Sequence, residues 1–251
     1  MKFKDYYNGD CVKLLADKIK TIFPDFNGKQ FINHVEKNVS DKEFSGRMDI
    51  FVDIFELYLP SSYEQNIKIF DNILGPELKQ ETGMFSERWW LWPIGRYVEK
   101  HGIKNIKVSL KFIKELTKRF TGEYAIRPLL EHKTKETIKT LIKWSKDENV
   151  HVRRLASEGV RIALPWSKKL YTAIAEFENY KIILTNLKND KSKFVQKSVG
   201  NNLNDLYKEY PEKANEIIKE WNNDNSTKET IWIINHGLRS TRKNKNRTNV
   251  V

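Results

Sequence analysis

Residues 147–156 read DENVHVRRLA, and residues 190–199 read DKSKFVQKSV. The two stretches align at an offset of 43 residues, so that Asp147 matches Asp190 and Val152 matches Val195. An aspartate followed by valine, basic and small residues at a period of about 40–47 residues is typical of HEAT-like two-helix repeats. Neither helix pair buries its apolar face alone, so successive pairs stack on one another. The spacing therefore predicts an array of stacked helix pairs.

The rest of the chain also shows helical periodicity. Glycine (11) and proline (7) are scarce among the 251 residues, and apolar residues recur at three- and four-residue spacings. The pattern predicts an all-α fold, a right-handed α-solenoid of HEAT-like repeats. We expect helices over residues 10–39, 46–58, 62–74, 106–120, 134–146, 150–163, 168–175, 179–189, 192–209, 211–222 and 227–239.

The domain organisation is predicted to be simple. We expect one HEAT-like domain over residues 1–240, with an N-terminal helical part at 1–80 and a core at 85–240. The segment that follows Gly237, LRSTRKNKNRTNVV, has five basic residues and no acids. Its end, residues 241–251, is predicted to be a basic, flexible tail that contacts phosphates.

Composition narrows the classes of partner and compartment. The net charge of +12, from 45 basic and 33 acidic residues, favours an anionic partner such as nucleic acid. The alternative is a lysine-rich protein that is merely soluble. The single cysteine, Cys11, cannot form an internal disulfide, and no Cys/His set has zinc spacing. With no signal-like N-terminus and no apolar run of about 20 residues, we expect a cytoplasmic protein without metal, cofactor or membrane contact.

One helix face combines an acid with bases. On a helix over 150–163, Arg154, Glu158 and Arg161 gather in one stripe opposite the apolar face. One interpretation is an exposed ladder of i,i+3 and i,i+4 ion pairs, each worth a few tenths of a kcal/mol. The matching repeat favours another interpretation. There Lys197 replaces Arg154, Asn201 replaces Glu158, and Asp205 follows one turn later.

A third acid occurs in a similar setting. Glu123 precedes Arg127 by four residues. The alternative here is an ordinary helix start, with Thr121 as N-cap and Glu123 favoured by the helix dipole. Taken together, the three segments predict a concave basic groove with carboxylates at its centre.

Carboxylates in a phosphate-binding groove need a chemical reason, because the phosphates repel them. Loss of a cationic, alkylated base from DNA leaves positive charge on the sugar, which a carboxylate stabilises. Aromatic faces hold a cationic base by cation–π contact. Four tryptophans could supply such faces, although core packing is the alternative for each: Trp89, Trp90, Trp92 and Trp166.

Several motifs carry a resemblance to a known family. They are WPIGRYVEKHG (92–102), GEYAIRPLLE (122–131), RRLASEGVRIALPW (153–166), VGNNLNDLYKEYP (199–211) and WIINHGLRS (232–240). The motifs occur in the same order as in the AlkC branch of the AlkC/AlkD superfamily of DNA alkylation-repair glycosylases, which the chain therefore resembles. The resemblance implies a curved helical solenoid that cradles duplex DNA and excises cationic N3-alkylated bases, chiefly 3-methyladenine.

The resemblance also implies roles for individual residues. The catalytic acids are predicted to be Glu158, Glu123 and Asp205, and the aromatic residues facing the lesion Trp166 and Trp92. The predicted DNA-binding residues are Arg153, Arg154, Arg161, Arg127, Lys197, Arg239 and Arg242. The chain departs from the family pattern at Ile162-Ala163 and at Gln196, where an arginine is common. We expect any DNA contact made by an immunoglobulin-like domain in longer relatives to be absent or replaced by the tail.

These features predict a monofunctional DNA-3-methyladenine glycosylase of base excision repair, without a cofactor. Its partner would be double-stranded DNA containing alkylated bases, and it would act as a monomer without an obligate protein partner. The alternative is a non-catalytic HEAT-repeat scaffold that binds duplex or branched DNA or an acidic protein.

Overall fold

The computed structural model describes residues 2–81 and 87–240, and every regular element in these ranges is helical. The predicted all-α class is thereby confirmed. Three short 3-10 helices cover Phe3–Tyr6, Trp89–Leu91 and Gly102–Lys104. The α-helices are α1 (Gly9–Ile22), α2 (Gly28–Val39), α3 (Phe44–Tyr58), α4 (Tyr63–Ile73), α5 (Trp92–His101), α6 (Ile106–Thr117), α7 (Ile126–His132), α8 (Thr134–Trp144), α9 (Val150–Glu158), α10 (Thr172–Ala175), α11 (Phe177–Leu187), α12 (Lys193–Glu209), α13 (Pro211–Trp221) and α14 (Lys228–Gly237).

The chain divides into two compact units, residues 1–128 and 129–251. A single domain over 1–240 stays a prediction, as do the handedness of the solenoid and its groove. The predicted tail, residues 241–251 with Arg242, lies outside the described residues.

The first unit is built from two rows of helices. Helices α2, α3 and α5 pack in one row, and α1, α4 and α6 in the other. Large aromatic side chains fill the space between them. Phe31 stacks on Phe55 with ring centroids 5.6 Å apart, and Phe55 meets Phe70 edge-on at 5.1 Å. All three rings are fully buried. Burial of such rings is the main source of stability for this unit.

The second unit repeats one helix pair, as the sequence predicts. Helices α9, α12 and α14 pack side by side, and α8 packs against α11. Asn149 caps α9 and Ser192 caps α12, and the two caps lie 43 residues apart. Before each cap an aspartate accepts a bond from the cap residue's backbone N–H, Asp147 at 3.0 Å and Asp190 at 2.9 Å. The repeat seen in the sequence is therefore also a repeat of hydrogen bonds.

The repeat explains Gln196, the residue that departs from the family pattern. Arg153 Nη1 donates to the carbonyl of Asp147 at 3.0 Å. Gln196 occupies the equivalent position in the next repeat, 43 residues later. Its Nε2 donates to the carbonyl of Asp190 at 2.7 Å. Both side chains close the turn that precedes their helix. Arg153 also links the repeats, because its Nε lies 2.6 Å from Asp190 Oδ2.

Several predicted helix boundaries were wrong. The helix over 10–39 is two helices, because Pro24 interrupts the pattern and Asn27 caps a new start. The helix over 150–163 ends at Glu158, and that over 168–175 shrinks to α10. Helices α5 and α7 were missed, since α7 has only seven residues and α5 begins with Trp-Pro.

Two glycines allow α12 and α14 to approach closely. A Cβ at Gly200 would lie 2.7 Å from His236 Cδ2, and a Cβ at Gly237 would lie 2.7 Å from Leu203 Cβ. Real Cβ atoms do not tolerate such distances. The close approach places the end of α14 against the middle of α12.

We predict that Gly200→Ala destabilises the protein by about 1–3 kcal/mol, because the added methyl group overpacks the contact with His236. Gly95→Ala in α5 is the matched control. Its Cβ would meet only Leu116 Cδ2, at 3.6 Å, so the higher helix propensity of alanine should stabilise by about 0.5–1 kcal/mol. Urea unfolding measures both changes. A Gly200→Ala variant as stable as the wild type would contradict the packing described here.

Candidate active site

Glu158 is the last residue of α9, and the chain turns back directly after it. The Gly159 N–H donates to Leu155 O, and the Arg161 N–H donates to Glu158 O at 3.3 Å. Glu158 and Arg161 are therefore only 4% and 7% exposed. The alternative of an exposed ion-pair ladder is wrong at this point, because the helix does not continue to residue 163 and both Glu158 and Arg161 are buried.

A guanidinium group joins two buried carboxylates in the second unit. Arg161 Nη1 lies 2.7 Å from Glu158 Oε1. Its Nε lies 2.9 Å from Asp205 Oδ2, and its Nη2 lies 3.4 Å from Asp205 Oδ1. The contact with Asp205 is thus two-pronged, the geometry for which arginine is suited. We call Glu158, Arg161 and Asp205 the carboxylate cluster.

Hydroxyl groups and a second arginine complete the surroundings of Glu158. Ser198 Oγ, on α12, donates to Glu158 Oε2 at 2.5 Å. Ser157 Oγ lies 2.6 Å from Ser198 Oγ and 3.1 Å from the carbonyl oxygen of Arg154. Arg154 Nη2 lies 3.5 Å from Glu158 Oε1, and its guanidinium covers the Phe194 ring at 4.7 Å. Both Glu158 oxygens are therefore satisfied.

The electrostatics keep Glu158 ionised although it is buried. Burial by itself raises the pKa of the Glu158 carboxyl. The guanidinium groups of Arg154 and Arg161, and then the hydrogen bond from Ser198, outweigh burial and lower this pKa from its usual 4.5. For Arg161, burial lowers the pKa, but Glu158 and Asp205 together raise it above its usual value. The negative charge of Glu158 is thereby held in a buried site.

The sequence matches a family of repair proteins. The family model described as DNA alkylation repair enzyme covers residues 105–240. This is more than half of the chain, and it includes the whole carboxylate cluster. The chain belongs to this family. Helices α6 to α14 lie within the matched range.

Two individual proteins are similar over almost the whole chain. YhaZ of Bacillus subtilis (strain 168), an uncharacterized protein, is 32% identical over 242 residues, which is 96% of this chain. The solved structure of the Pseudomonas fluorescens alkylpurine DNA glycosylase AlkC, bound to DNA containing an abasic site analog, matches 97% of this chain with a TM-score of 0.85 and 33% identity. The chain spans 64% of YhaZ and 65% of the AlkC chain. The predicted AlkC-like membership and HEAT-like repeat fold are confirmed.

The loop that follows α9 in this AlkC-like protein exposes Trp166. The Ser167 N–H donates to Leu164 O at 3.2 Å, which closes a turn with Pro165 and Trp166 at its centre. Trp166 has a φ of 61°, a value that such turns usually reserve for glycine. Its side chain is 68% exposed. A strained backbone that presents a large ring marks a candidate contact residue, and its role at a lesion stays a prediction.

The structure shows how the predicted DNA-binding residues of the second unit are held. Arg153, Arg154 and Arg161 all make ion pairs inside the protein. Lys197 is exposed on α12. Arg239, just beyond α14, donates to the carbonyl of His236 and to Asn201 Oδ1. Their contacts with DNA stay predictions.

Three predicted site residues belong to the first unit. Glu123 and Arg127 are buried, and Glu123 N–H donates to Thr121 Oγ1 at 3.4 Å. Thr121 does not cap α7, which begins at Ile126. That Glu123 acts together with the carboxylate cluster stays a prediction.

Trp92 is a core residue of the first unit. Only 5% of it is exposed, at the start of α5. Its ring lies within 6 Å of those of Phe3, Phe44, Phe120 and Tyr124. Core packing, the alternative stated for each tryptophan, describes Trp92 well. Its assignment to a lesion surface stays a prediction.

Ser198, which donates to Glu158, and Ser157 beside it were not predicted from the sequence. The repeat alignment placed Asn201 opposite Glu158, but the helices are in contact one turn earlier, at Ser198. A usable signal was the pair of small residues Ser198 and Gly200 inside the long helix α12, because small residues mark close helix contacts.

Metal sites and membrane-spanning helices are both absent from the part of the chain that the structure describes. No group of three or more His, Cys, Asp or Glu residues among 2–81 and 87–240 is placed to hold a metal ion. In the same ranges no helix has both the length and the apolar character needed to cross a membrane.

We predict that Arg161→Ala destabilises the protein by about 3–5 kcal/mol, because two buried carboxylates lose their common partner. The stability of Arg161→Lys should lie between those of Arg161→Ala and the wild type, since lysine keeps the charge but cannot bind in the two-pronged mode. Urea unfolding at neutral pH measures the change. The control is Lys169→Ala, which removes the exposed ion pair with Glu209 and should leave the midpoint unchanged. Equal midpoints for Arg161→Ala and wild type would contradict the bridging role.

Proposed function

We propose that this protein is a DNA glycosylase that hydrolyses the N-glycosidic bond of cationic N3-alkylated bases such as 3-methyladenine. The carboxylate cluster is the observation that carries the proposal, because it holds ionised Glu158 within a strongly basic chain. The likeness to AlkC, whose structure is described as that of an alkylpurine DNA glycosylase, supports the substrate class.

The electrostatic setting suits a reaction that develops positive charge. A basic surface that only bound DNA would gain nothing from acids, since phosphates repel them. In the cluster the acids are retained, and the guanidinium groups of Arg154 and Arg161 lower the pKa of Glu158. A preformed negative charge in a site of low polarity stabilises a nearby sugar cation more strongly than the same charge in water does.

In the proposed reaction the bond between C1′ and the base nitrogen breaks, and its electron pair leaves with the base. The base becomes neutral, so it needs no proton from the enzyme. The deoxyribose carries the positive charge until water adds to C1′ and loses a proton to the medium. Glu158 and Glu123 stabilise that charge and orient the water, with Asp205 assisting. The division of these roles among the three acids depends on their surroundings.

Trp166 is proposed to contact the cationic base. Its exposed indole follows Arg161 by five residues, in the loop that leaves the cluster. The face of an indole attracts a cation by about 0.5–2 kcal/mol. In this proposal Trp166 favours the charged lesion over normal, neutral bases.

The reaction is proposed to stop at base removal. A glycosylase that also cleaves the strand uses an amine to form a Schiff base. The side chains in contact with Glu158 are arginines and a serine, whose groups do not form one. We therefore propose a monofunctional enzyme. We further propose that it acts as a monomer on double-stranded DNA in the cytoplasm.

The alternative is a non-catalytic scaffold, and one observation favours it. Arg161 already pairs with both Glu158 and Asp205, as a purely structural strut would. A scaffold of this kind would bind duplex or branched DNA, or an acidic protein, without releasing bases.

We predict that Glu158→Gln lowers the single-turnover rate of 3-methyladenine release from methylated duplex DNA by about 100-fold or more. Glutamine keeps the size of the side chain but removes its charge. DNA affinity should be retained or increased, because a repulsive charge is lost. Glu209→Gln, at the end of the same helix as Asp205, is the matched control and should release the base at the wild-type rate.

If Glu158→Gln folds poorly, the rate of 3-methyladenine release by Asp205→Asn tests the role of the carboxylate cluster instead. A wild-type protein that binds DNA tightly but releases no base, with tighter binding by Glu158→Gln, would establish the scaffold. Wild-type release by Glu158→Gln would overturn the assignment of this residue.

A further inference from the structure

The exposed side of α12 carries a row of polar residues that ends at the cluster. Lys193, Lys197, Asn201 and Asp205 follow one another at intervals of four residues. Residues at this spacing lie on one face of a helix. Lys193 is exposed, and its Nζ lies 4.0 Å above the Trp232 ring. The other three members lead from an exposed lysine, through a neutral amide, to a buried carboxylate.

The amide of Asn201 has a fixed orientation. Arg239 Nη2 donates to Asn201 Oδ1 at 2.9 Å, and His236 Nε2 lies 3.2 Å from the same oxygen. An arginine has only donors, so the atom that faces it must be the amide oxygen. His236 then also donates and carries its proton on Nε2. Two donors on one oxygen prevent the amide from rotating.

His236 is itself held firmly in its place. Its ring stacks on Trp232 with centroids 4.9 Å apart, and the absence of a Cβ at Gly200 lets it touch α12. Burial, followed by the charges of Arg239 and Lys197, lowers its pKa from 6.5 to about 4. At neutral pH His236 is therefore an uncharged donor.

The nitrogen of the same amide faces away from these two donors. Asn201 is partly exposed, and its Nδ2 has no hydrogen-bond partner among residues 2–81 and 87–240. Asp205 lies one turn further along α12. Arg239 is close enough to be affected by the cluster: burial lowers its pKa, Asp205 raises it and Arg161 lowers it. An oriented donor thus stands beside the cluster without a partner in the described protein.

We propose that Asn201 binds a DNA backbone phosphate through Nδ2, and that His236 and Arg239 are positioning residues for its amide. The inference rests on the proposed function, because it takes duplex DNA as the substrate. Contacts with phosphates set the register of a protein on DNA. A contact one turn from Asp205 would fix the distance between the strand and the carboxylates. A neutral donor does this without adding a cation that would compete for them.

Neutral and charged phosphate contacts differ in their dependence on salt. A lysine that neutralises a phosphate releases counterions, so its removal reduces the slope of log K against log[salt] by about 0.9. An amide releases none. Asn201→Ala should therefore weaken binding to a duplex with an abasic-site analogue about 3- to 10-fold at every salt concentration. Lys197→Ala should weaken binding and also reduce the slope.

The decisive comparison uses fluorescence anisotropy from about 50 to about 300 mM salt (about 0.8 decade) with Asn201→Ala, Asn201→Asp and Lys197→Ala. Asn201→Asp has nearly the same shape but replaces the donor with a charged acceptor, so we expect at least about a 10-fold loss of affinity. Asn225→Asp, in the exposed turn between α13 and α14, adds the same charge elsewhere and should bind like the wild type. Thermal unfolding confirms that each variant is folded.

Two results would overturn the inference. One is wild-type affinity of Asn201→Asp. The other is a reduced salt slope for Asn201→Ala, which would mean that Asn201 only positions Arg239. The proposed function is tested by a different measurement, because it is wrong if the wild type releases no 3-methyladenine. The binding measurements still test the role of Asn201 in that case.

Discussion

The ion pairs of Arg161 with Glu158 and Asp205 are the constraint on which the second unit depends. Two carboxylates buried at the contact between α9 and α12 would be very costly without a cation between them. Arg161 reaches both because α9 stops at Glu158 and the chain turns back. One local event, the end of a helix, therefore determines the burial, the charge state and the spacing of the acids. The loop that exposes Trp166 starts from the same turn.

Helix α12 connects the fold with the chemistry. It packs against both α9 and α14, and its small residues permit this on two sides. Ser198 meets Glu158 on one side, and Gly200 admits His236 on the other. The same helix carries Asp205. Repeat stacking thereby gathers groups that are about 40 residues apart in the chain into one surface.

The sequence was sufficient for the repeat and for the identity of two cluster acids, but not for their environment. Periodicity and the 43-residue offset predict stacked helix pairs because burial of apolar faces requires them. The end of α9 could not be predicted, since residues 159–163 keep the helical pattern and tertiary contacts decide the turn. Glu158 and Arg161, which one interpretation placed in an exposed ion-pair ladder, are consequently buried. The role of Ser198 was hidden for a similar reason, because helix contact is displaced by one turn from the repeat alignment.

We propose that arginine keeps Glu158 negatively charged inside the protein and that this charge stabilises a sugar cation. The pH dependence of single-turnover 3-methyladenine release by the wild type tests it most directly, after subtraction of spontaneous loss. Because the pKa of Glu158 is lowered from 4.5, the carboxylate stays ionised well into the acid range. The release rate should therefore remain level between about pH 8 and pH 5. A rate that falls with a midpoint above pH 5 would show that the essential carboxyl is protonated there, in contradiction to the claim.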